Sequence, residues 1–379
     1  MSQLAPLPLP TGIRSRFIDG INGLRMHVLE AGHEQPGKPL LLLLHGFPEL
    51  AYSWRKVMLP LAAAGFHVVA PDQRGYGRTT GQSMAYDQDL RPFSMLQLTR
   101  DALALVTALG HKSVATVIGH DFGSPVAAWC ALVRPDVFRS VVLMSAPFAG
   151  PPAISAPANT APSADGLDAA LAALSRPRKH YHWYYATRDA NTDMCNAPGG
   201  LQAFLRAYFH HKSADWADNK PFLLKDWSAD EMAQLPTYYV MERAKTMAET
   251  VAPFMPTTAE IATCRWLPDV EMAVYASEYQ RTGFQGGLNW YRTRFDATLN
   301  AEQTLFSGRT IDVPSMFIAG RSDWGYRQAP GAFERMQEQV CTGMRGCHLI
   351  DGAGHWVMQE QPEAVAKRLV EFCASRRAE

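Results

Sequence analysis

Four short apolar runs, each ended by a turn and parted from the next by a helix-length stretch, constrain the fold of this chain more than any other feature. Leu40–Leu44 is continuously aliphatic and stops at His45-Gly46. His67-Val68-Val69-Ala70 stops at Pro71-Asp72 and a turn carrying Gly75 and Gly77. Val114 to Ile118 stops at Gly119, and Ser140 to Met144 stops at Ser145-Ala146-Pro147. Apolar runs without polar alternation are what strands buried on both faces look like, as in a parallel sheet. Between them, Trp54 to Ala64, Met95 to Leu109 and Ser124 to Val133 carry helical patterns. Strands and helices alternating at this spacing predict right-handed βαβ units and a doubly wound, mostly parallel α/β sheet.

The alternation then breaks. Ala146 to Ala164 is rich in Ala, Ser and Pro and reads as a loop or linker. From about Leu167 to Phe295 the chain is helical, aromatic and poor in strand signals. Strand patterns return at Val313 to Ile318 and Cys347 to Ile350, and Pro362 to Ser375 reads as a closing helix. A length of 379 residues allows two or three domains, or one core carrying an insertion. The pattern favours the second. Residues 1–147 and 305–379 are expected to form one core, with a helical cap (lid) over residues 148–304.

Composition narrows the function classes. The 36 Lys+Arg balance 36 Asp+Glu, which argues against nucleic acid or an anionic membrane surface as the main partner. The longest unbroken apolar run, Val126 to Val133, is far short of the roughly 20 residues needed to span a bilayer. Met1 to Ser15 lacks the basic start and apolar run of a secretory signal. The six cysteines are scattered without a CxxC pair, as expected of free thiols in a reducing compartment, so a cytoplasmic location is expected.

The chemistry concentrates in Gly119-His120-Asp121-Phe122-Gly123. A buried strand runs into Gly119 and a helix begins just after Gly123, which is the setting of a nucleophile elbow. The apex residue is Asp121, not Ser, and Ser124 lies off the apex. A carboxylate above a helix N-terminus is held as the anion and attacks without a base to deprotonate it. Alone, a short Gly-x-Asp-x-Gly would serve equally as a helix cap. The context decides for the nucleophile. His45-Gly46-Phe47-Pro48 ends the first run, where a loop can turn a backbone N–H toward the elbow. The backbone amides of Phe47 and Phe122 are therefore the expected oxyanion-hole donors.

A base must follow the nucleophile in the order acid, then His. His355, in Gly352-Ala353-Gly354-His355-Trp356, stands in a turn after the last strand. Asp323 follows the run ending at Ile318 and is the expected acid. Asp351 is its rival but lies close in sequence to His355 for aiming at the ring.

These residues resemble the epoxide hydrolase branch of the α/β-hydrolase superfamily. The resemblance rests on His45-Gly46-Phe47-Pro48-Glu49 with Tyr52-Ser53-Trp54-Arg55, on Ala70 to Gly77, on the elbow, and on Gly283-Phe284-Gln285-Gly286-Gly287-Leu288-Asn289-Trp290-Tyr291-Arg292. It covers Leu40 to Phe148 and Tyr275 to His355 well and is weak from Gly150 to about Val270. It implies an α/β-hydrolase fold with a helical cap, and two cap tyrosines aimed at the epoxide oxygen. Tyr291 matches one. Tyr181, opening Tyr181-His182-Trp183-Tyr184-Tyr185, matches the other, with Tyr184 and Tyr185 as alternatives because Ala186-Thr187-Arg188 departs from the family's continuation.

The implied reaction needs no metal and no cofactor. Asp121 opens the strained ring and becomes an ester, a tyrosine protonates the leaving oxygen, and His355 with Asp323 activates water to release a vicinal diol. The implied partners are an apolar epoxide and water, with neither nucleic acid nor membrane; a homodimer stays open. A haloalkane or haloacid dehalogenase shares the Asp-His-Asp chemistry but typically has a Trp after the nucleophile, or an Arg for a substrate carboxylate, and Phe122 offers neither. A binding protein on a hydrolase scaffold would be expected to have lost a site element, and none is missing. The aromatic cap (Trp183, Trp216, Trp227, Trp266) is expected to cover an apolar pocket. His45, Pro48, Trp54, Trp183 and Trp324 are expected to line it, with plain core packing the alternative for Trp54 and Trp324. His180, His182, His210 and His211 are expected on a solvated cap surface, and Arg74 to Arg78 in a structural turn.

Overall fold

The computed structural model describes residues 4–154 and 164–375. The middle of the Ala/Ser/Pro-rich linker, residues 155–163, lies outside them. Eight strands make one sheet in the order β1-β2-β4-β3-β5-β6-β9-β10. They are β1 (Ile13–Ile21), β2 (Leu24–Ala31), β3 (Leu40–Leu44), β4 (His67–Pro71), β5 (Thr116–His120), β6 (Val141–Met144), β9 (Ser315–Gly320) and β10 (Met344–Ile350). β1 and β2 pair antiparallel, as do β2 and β4; the other pairings are parallel. A second, two-stranded antiparallel sheet joins β7 (Arg178–His180) to β8 (Val240–Glu242).

All five leucines of β3 are buried because helices cover both faces of the sheet. On one side α1 (Arg55–Ala63) packs against a closing helix at Pro362–Ser375. On the other, α2 (Met95–Ala108) packs against α3 (Gly123–Val133). The four runs read from sequence all become strands, with small shifts at their starts. Pro314 has no N–H to give the ladder, so β9 begins at Ser315. Val114 makes only an isolated bridge to Phe138, and regular pairing in β5 starts at Thr116.

β1 and β2 carry no apolar run that would announce them. His27 and Glu30 interrupt β2, and both are buried only because they are paired: His27 Nδ1 lies 2.7 Å from Asp72 Oδ2, and Glu30 takes Arg14 Nε at 2.8 Å.

Apart from β7 and β8, the regular structure of the described residues between β6 and β9 is helical. Four of its helices matter for the site: α4 (Tyr181–Ala186), α5 (Leu201–Lys212), α6 (Asp269–Thr282) and α7 (Gln285–Thr293). α6 and α7 are fastened to the core by buried polar contacts. Arg78 Nε donates to Glu278 Oε1 at 2.8 Å, Trp290 Nε1 to the Arg74 carbonyl at 2.9 Å, and Tyr279 Oη to the Glu49 carbonyl at 3.2 Å. A Cβ added at Gly286 would sit 1.9 Å from the Gly75 carbonyl oxygen, so glycine at that position allows α7 to touch the turn after β4. The Arg74–Arg78 turn is thus a docking platform for α7, further held by Arg74 Nε on Asp101 Oδ2 at 2.6 Å. No helix among the described residues is long and apolar enough to cross a membrane.

Candidate active site

Strand order locates the site. From β3 the chain crosses to β4 on one side and to β5 on the other, so the carboxyl ends of β3 and β5 flank a topological switch point. His45 to Pro48 leaves the first of these ends and Asp121 the second. The approach is so close that a Cβ on Gly46 would meet Asp121 Cβ at 2.4 Å.

Asp121 has φ +50°, one of three non-glycine residues in the left-handed region among the described residues. A side chain rarely takes that conformation, and here the fixed strand before and helix after impose it, lifting the carboxylate out of the turn. The Asp121 carbonyl accepts Ser124 N–H at 3.0 Å, which starts α3, and the carboxylate makes no side-chain cap. Instead Oδ1 accepts the backbone N–H of Phe47 at 2.9 Å. Phe47 also packs edge-on to Tyr291, and Phe122 does so with the same ring at 4.9 Å between centroids.

His355 Nε2 stands 3.3 Å from Asp121 Oδ2 but off the line of a hydrogen bond, which leaves that nitrogen open. Its Nδ1 meets Asp323 Oδ1 at 3.0 Å, and the same oxygen accepts Gly325 N–H at 2.7 Å. Asp323 and His355 are each about 1% exposed. Asp351 instead pairs with Arg321 at the surface. Burial disfavours the Asp121 anion, but the charges and contacts of His355, Lys212 and His120 outweigh it and hold the carboxyl well below the usual range. Asp323 is likewise lowered: burial opposes its charge and His355 overcomes it.

Four groups around this trio were not assigned a role from sequence. His120 Nδ1 lies 2.6 Å from Glu49 Oε2, and its Nε2 lies 2.7 Å from the His355 carbonyl. Both ring nitrogens face acceptors, so the doubly protonated imidazolium satisfies them and a neutral ring cannot. Burial pulls His120 down, but the Glu49 carboxylate more than compensates and raises it to about 8. Glu49 also accepts Gly46 N–H at 2.9 Å, which ties the Phe47 loop to the His355 loop.

Lys212, at the end of α5, is buried with its ammonium 4.9 Å from the centroid of Tyr239 and 5.6 Å from that of Trp356. Its carbonyl accepts His355 N–H at 2.9 Å. Glu360 accepts the N–H groups of Gly354 and Trp356, on either side of His355, at 2.8 and 2.9 Å, and that of Ala214 at 2.8 Å. The inserted helical segment therefore helps fix the loop carrying His355. A signal for such residues exists: a polar side chain set inside or beside an apolar strand, as His120 is, must find a buried partner.

A cavity of about 360 Å³ opens beside Asp121 and is walled by Phe122, Tyr181, His182, Tyr291 and Trp227, among others. Tyr181 and Tyr291 face each other at 5.9 Å between ring centroids. Tyr181 Oη donates to Gln328 Oε1 at 3.3 Å, whereas Tyr291 Oη has no hydrogen-bond partner among the described residues. Burial, and then the Asp121 charge, push both phenols well above the usual tyrosine range, so both stay protonated donors. Tyr184 and Tyr185 are engaged elsewhere, with Asp193 Oδ2 at 3.0 Å and Tyr208 Oη at 3.2 Å.

Several sequence expectations fail here. Trp54 lies on the opposite side of the sheet, in the core under α1. His45 is buried behind the loop, its Nδ1 2.9 Å from the Gly46 carbonyl and its Nε2 accepting Gln73 N–H at 3.1 Å. Pro48, Trp183 and Trp324 also stay off the cavity wall; Trp324 packs edge-on to Phe222 at 4.9 Å. Of the four cap tryptophans only Trp227 lines the cavity. The histidines are not a solvated face: His180 and His182 border the cavity and His211 is buried against Phe254. For the histidines the reason is that α4 and α5 turn inward, which residue type alone does not encode.

The chain matches the family described as alpha/beta hydrolase fold over residues 39–177. It is 34% identical over 368 residues to epoxide hydrolase A of Mycobacterium tuberculosis (strain ATCC 25618 / H37Rv), covering 94% of this chain and 96% of that relative. An epoxide hydrolase of Caballeronia sordidicola is 30% identical, with 96% and 94% covered. Among solved structures, an epoxide hydrolase from an endophytic Streptomyces superposes with a TM-score of 0.77 at 30% identity, covering 98% of each chain. Potato (Solanum tuberosum) epoxide hydrolase I gives 0.73 at 28% identity, covering 96% of this chain and 99% of that one.

Proposed function

Because this chain belongs to the epoxide hydrolases of the α/β-hydrolase fold, we propose that it converts epoxides to vicinal diols through an ester formed on Asp121. Residues 148–304 act as the cap over the site. The observation that carries the reading is one cavity holding a strained, buried carboxylate on one side and two protonated phenols on the other. A three-membered ether needs both: a nucleophile behind the carbon and a proton donor at the departing oxygen.

Asp121 Oδ2 attacks an epoxide carbon as the C–O bond breaks, and the released oxygen takes the proton of Tyr181 or Tyr291. Asp121 Oδ1 stays against the Phe47 N–H and becomes the ester carbonyl. His355 Nε2, oriented by Asp323, then removes a proton from water, and the hydroxide adds to the ester carbon. The oxyanion forms on Oδ1, where Phe47 N–H and Phe122 N–H stabilise it by about 3 kcal/mol each, the typical worth of such donors. Collapse expels the diol oxygen, which takes the His355 proton. The new carboxylic acid returns its proton to the tyrosinate, so the net change is addition of one water. Two phenols suit an alkoxide leaving group and have no use in halide release, which sets dehalogenation aside.

A single turnover in oxygen-18 water tests the route. With styrene oxide and enzyme in excess, the diol should be unlabelled and the Asp121 peptide should gain the label. Immediate labelling of the diol would mean that water attacks the epoxide directly.

A further inference from the structure

The cavity wall carries one side chain that the reaction above does not use. Arg294 follows α7 and its N–H donates to the Tyr291 carbonyl at 3.1 Å, so the two side chains sit one turn apart on the same flank. Its guanidinium carbon lies 5.7 Å from the ring centroid of Phe122, the residue after the nucleophile. Arg294 borders the same cavity as Asp121 and Tyr291 and is the only Lys or Arg side chain to do so among the described residues.

Its neighbours in sequence and space are satisfied. Arg292 donates to Asn289 Oδ1 at 3.0 Å and covers Tyr86, and Arg327 pairs with Glu334 at 2.6 Å. Arg281 pairs with Glu278. Arg294 has neither an ion pair nor a side-chain hydrogen bond among the described residues. The polar groups beside it add donors without adding charge. Burial, and then the Arg294 charge itself, pull His180 down to about 3 and His182 well below its usual range, so both rings stay neutral. The cavity thus presents one exposed cation without a partner among the described residues, together with neutral imidazoles, the Gln328 amide and aromatic rings.

We propose that Arg294 is the subsite for an anionic group on the substrate, and that the preferred substrates are small epoxides bearing a carboxylate a few bonds from the ring. The inference rests on the reading of Asp121 as the nucleophile of an epoxide hydrolase. The Asp121 anion would repel such a substrate from the cavity. A guanidinium bordering the cavity on the Tyr291 flank offsets that repulsion. The planar fork of Arg matches a carboxylate in two parallel hydrogen bonds, whereas a neutral aryl or alkyl epoxide leaves it idle. A volume of about 360 Å³ holds a phenyl-sized group together with ring and carboxylate.

The test compares trans-3-phenylglycidate with styrene oxide, which share the aryl epoxide and differ in the carboxylate. For the intact enzyme kcat/KM should favour the glycidate, and added salt should erode that preference. Arg294→Met should lower the ratio of the two kcat/KM values by about 2- to 5-fold, the worth of a charge pair at an exposed guanidinium. The loss should appear in KM more than in kcat, and Arg294→Lys should recover part of it. An unchanged ratio in Arg294→Met, with styrene oxide still turned over, overturns the subsite and leaves the proposed reaction standing. Turnover of neither epoxide by the intact enzyme overturns the proposed reaction and the subsite together.

Discussion

The buried Glu49–His120 pair makes a pH prediction whose size follows from the geometry. In the unfolded chain His120 titrates near the ordinary histidine value of about 6.5; in the folded protein it titrates at about 8. The folded pKa is raised, so folding takes up a proton between these values. The stabilisation is complete below pH 6.5 and is lost as pH climbs through 8. A shift of roughly 1.5 units at 1.36 kcal/mol per unit is about 2 kcal/mol. For a chain of 379 residues that is about 2–3 °C in melting temperature.

Other groups titrate in the same window, and Glu360, raised to about 8 by burial against three N–H contacts, is one of them. The assay is therefore a difference. Calorimetric melting temperatures are compared from pH 6 to 9 for the intact protein and for the Glu49→Gln/His120→Gln double variant, in which Glu360 is unaltered. Glu49 has a lowered pKa, so its contribution is lost only in acid and is constant across this range. The difference between the two proteins should shrink by roughly 2–3 °C between pH 6 and 9. A flat difference curve would refute the imidazolium bridging Glu49 and the His355 carbonyl.

Three further substitutions test the site and its mounting. Tyr291→Phe should slow ester formation about 100-fold or more in stopped-flow kinetics while ester hydrolysis changes less. Tyr185→Phe, whose hydroxyl is engaged with Tyr208 away from the cavity, should leave ester formation close to the unaltered rate. Gly286→Ala should cost about 3 kcal/mol of stability in a denaturant titration, because the new Cβ meets the Gly75 carbonyl at 1.9 Å with backbone on both sides. Activity should fall with it, since Tyr291 rides on the same helix.

The elbow was legible because its physics is local. A strand, two glycines and a helix start within a few residues decide where Asp121 points. The buried runs Leu40–Leu44, His67–Ala70 and Ser140–Met144 were legible for a similar reason, since strands covered on both faces leave no polar residue to confuse the pattern. β2 was not, because His27 and Glu30 are tolerated only through partners elsewhere in the chain, and nothing in their own segment announces those partners. The pocket residues failed similarly. Trp54 is as aromatic as Trp227, yet the first faces α1 and the second the cavity.

By itself the sequence determined the family and the order of the parts that the proposed reaction uses: an aspartate where a serine is common, a His-Gly-Phe-Pro loop before it, a second aspartate and a histidine after it. Those features are short-range, and the alternation of strand and helix carries them to one edge of one sheet. Only the tertiary structure decided that Tyr184 and Tyr185 turn to other partners, which histidines lie beside the cavity, and that Arg294 meets no partner among the described residues. Each of those outcomes depends on how helices from one stretch of chain pack over strands from another. Contacts between residues a hundred or more positions apart set that packing, so no local pattern in the sequence records it.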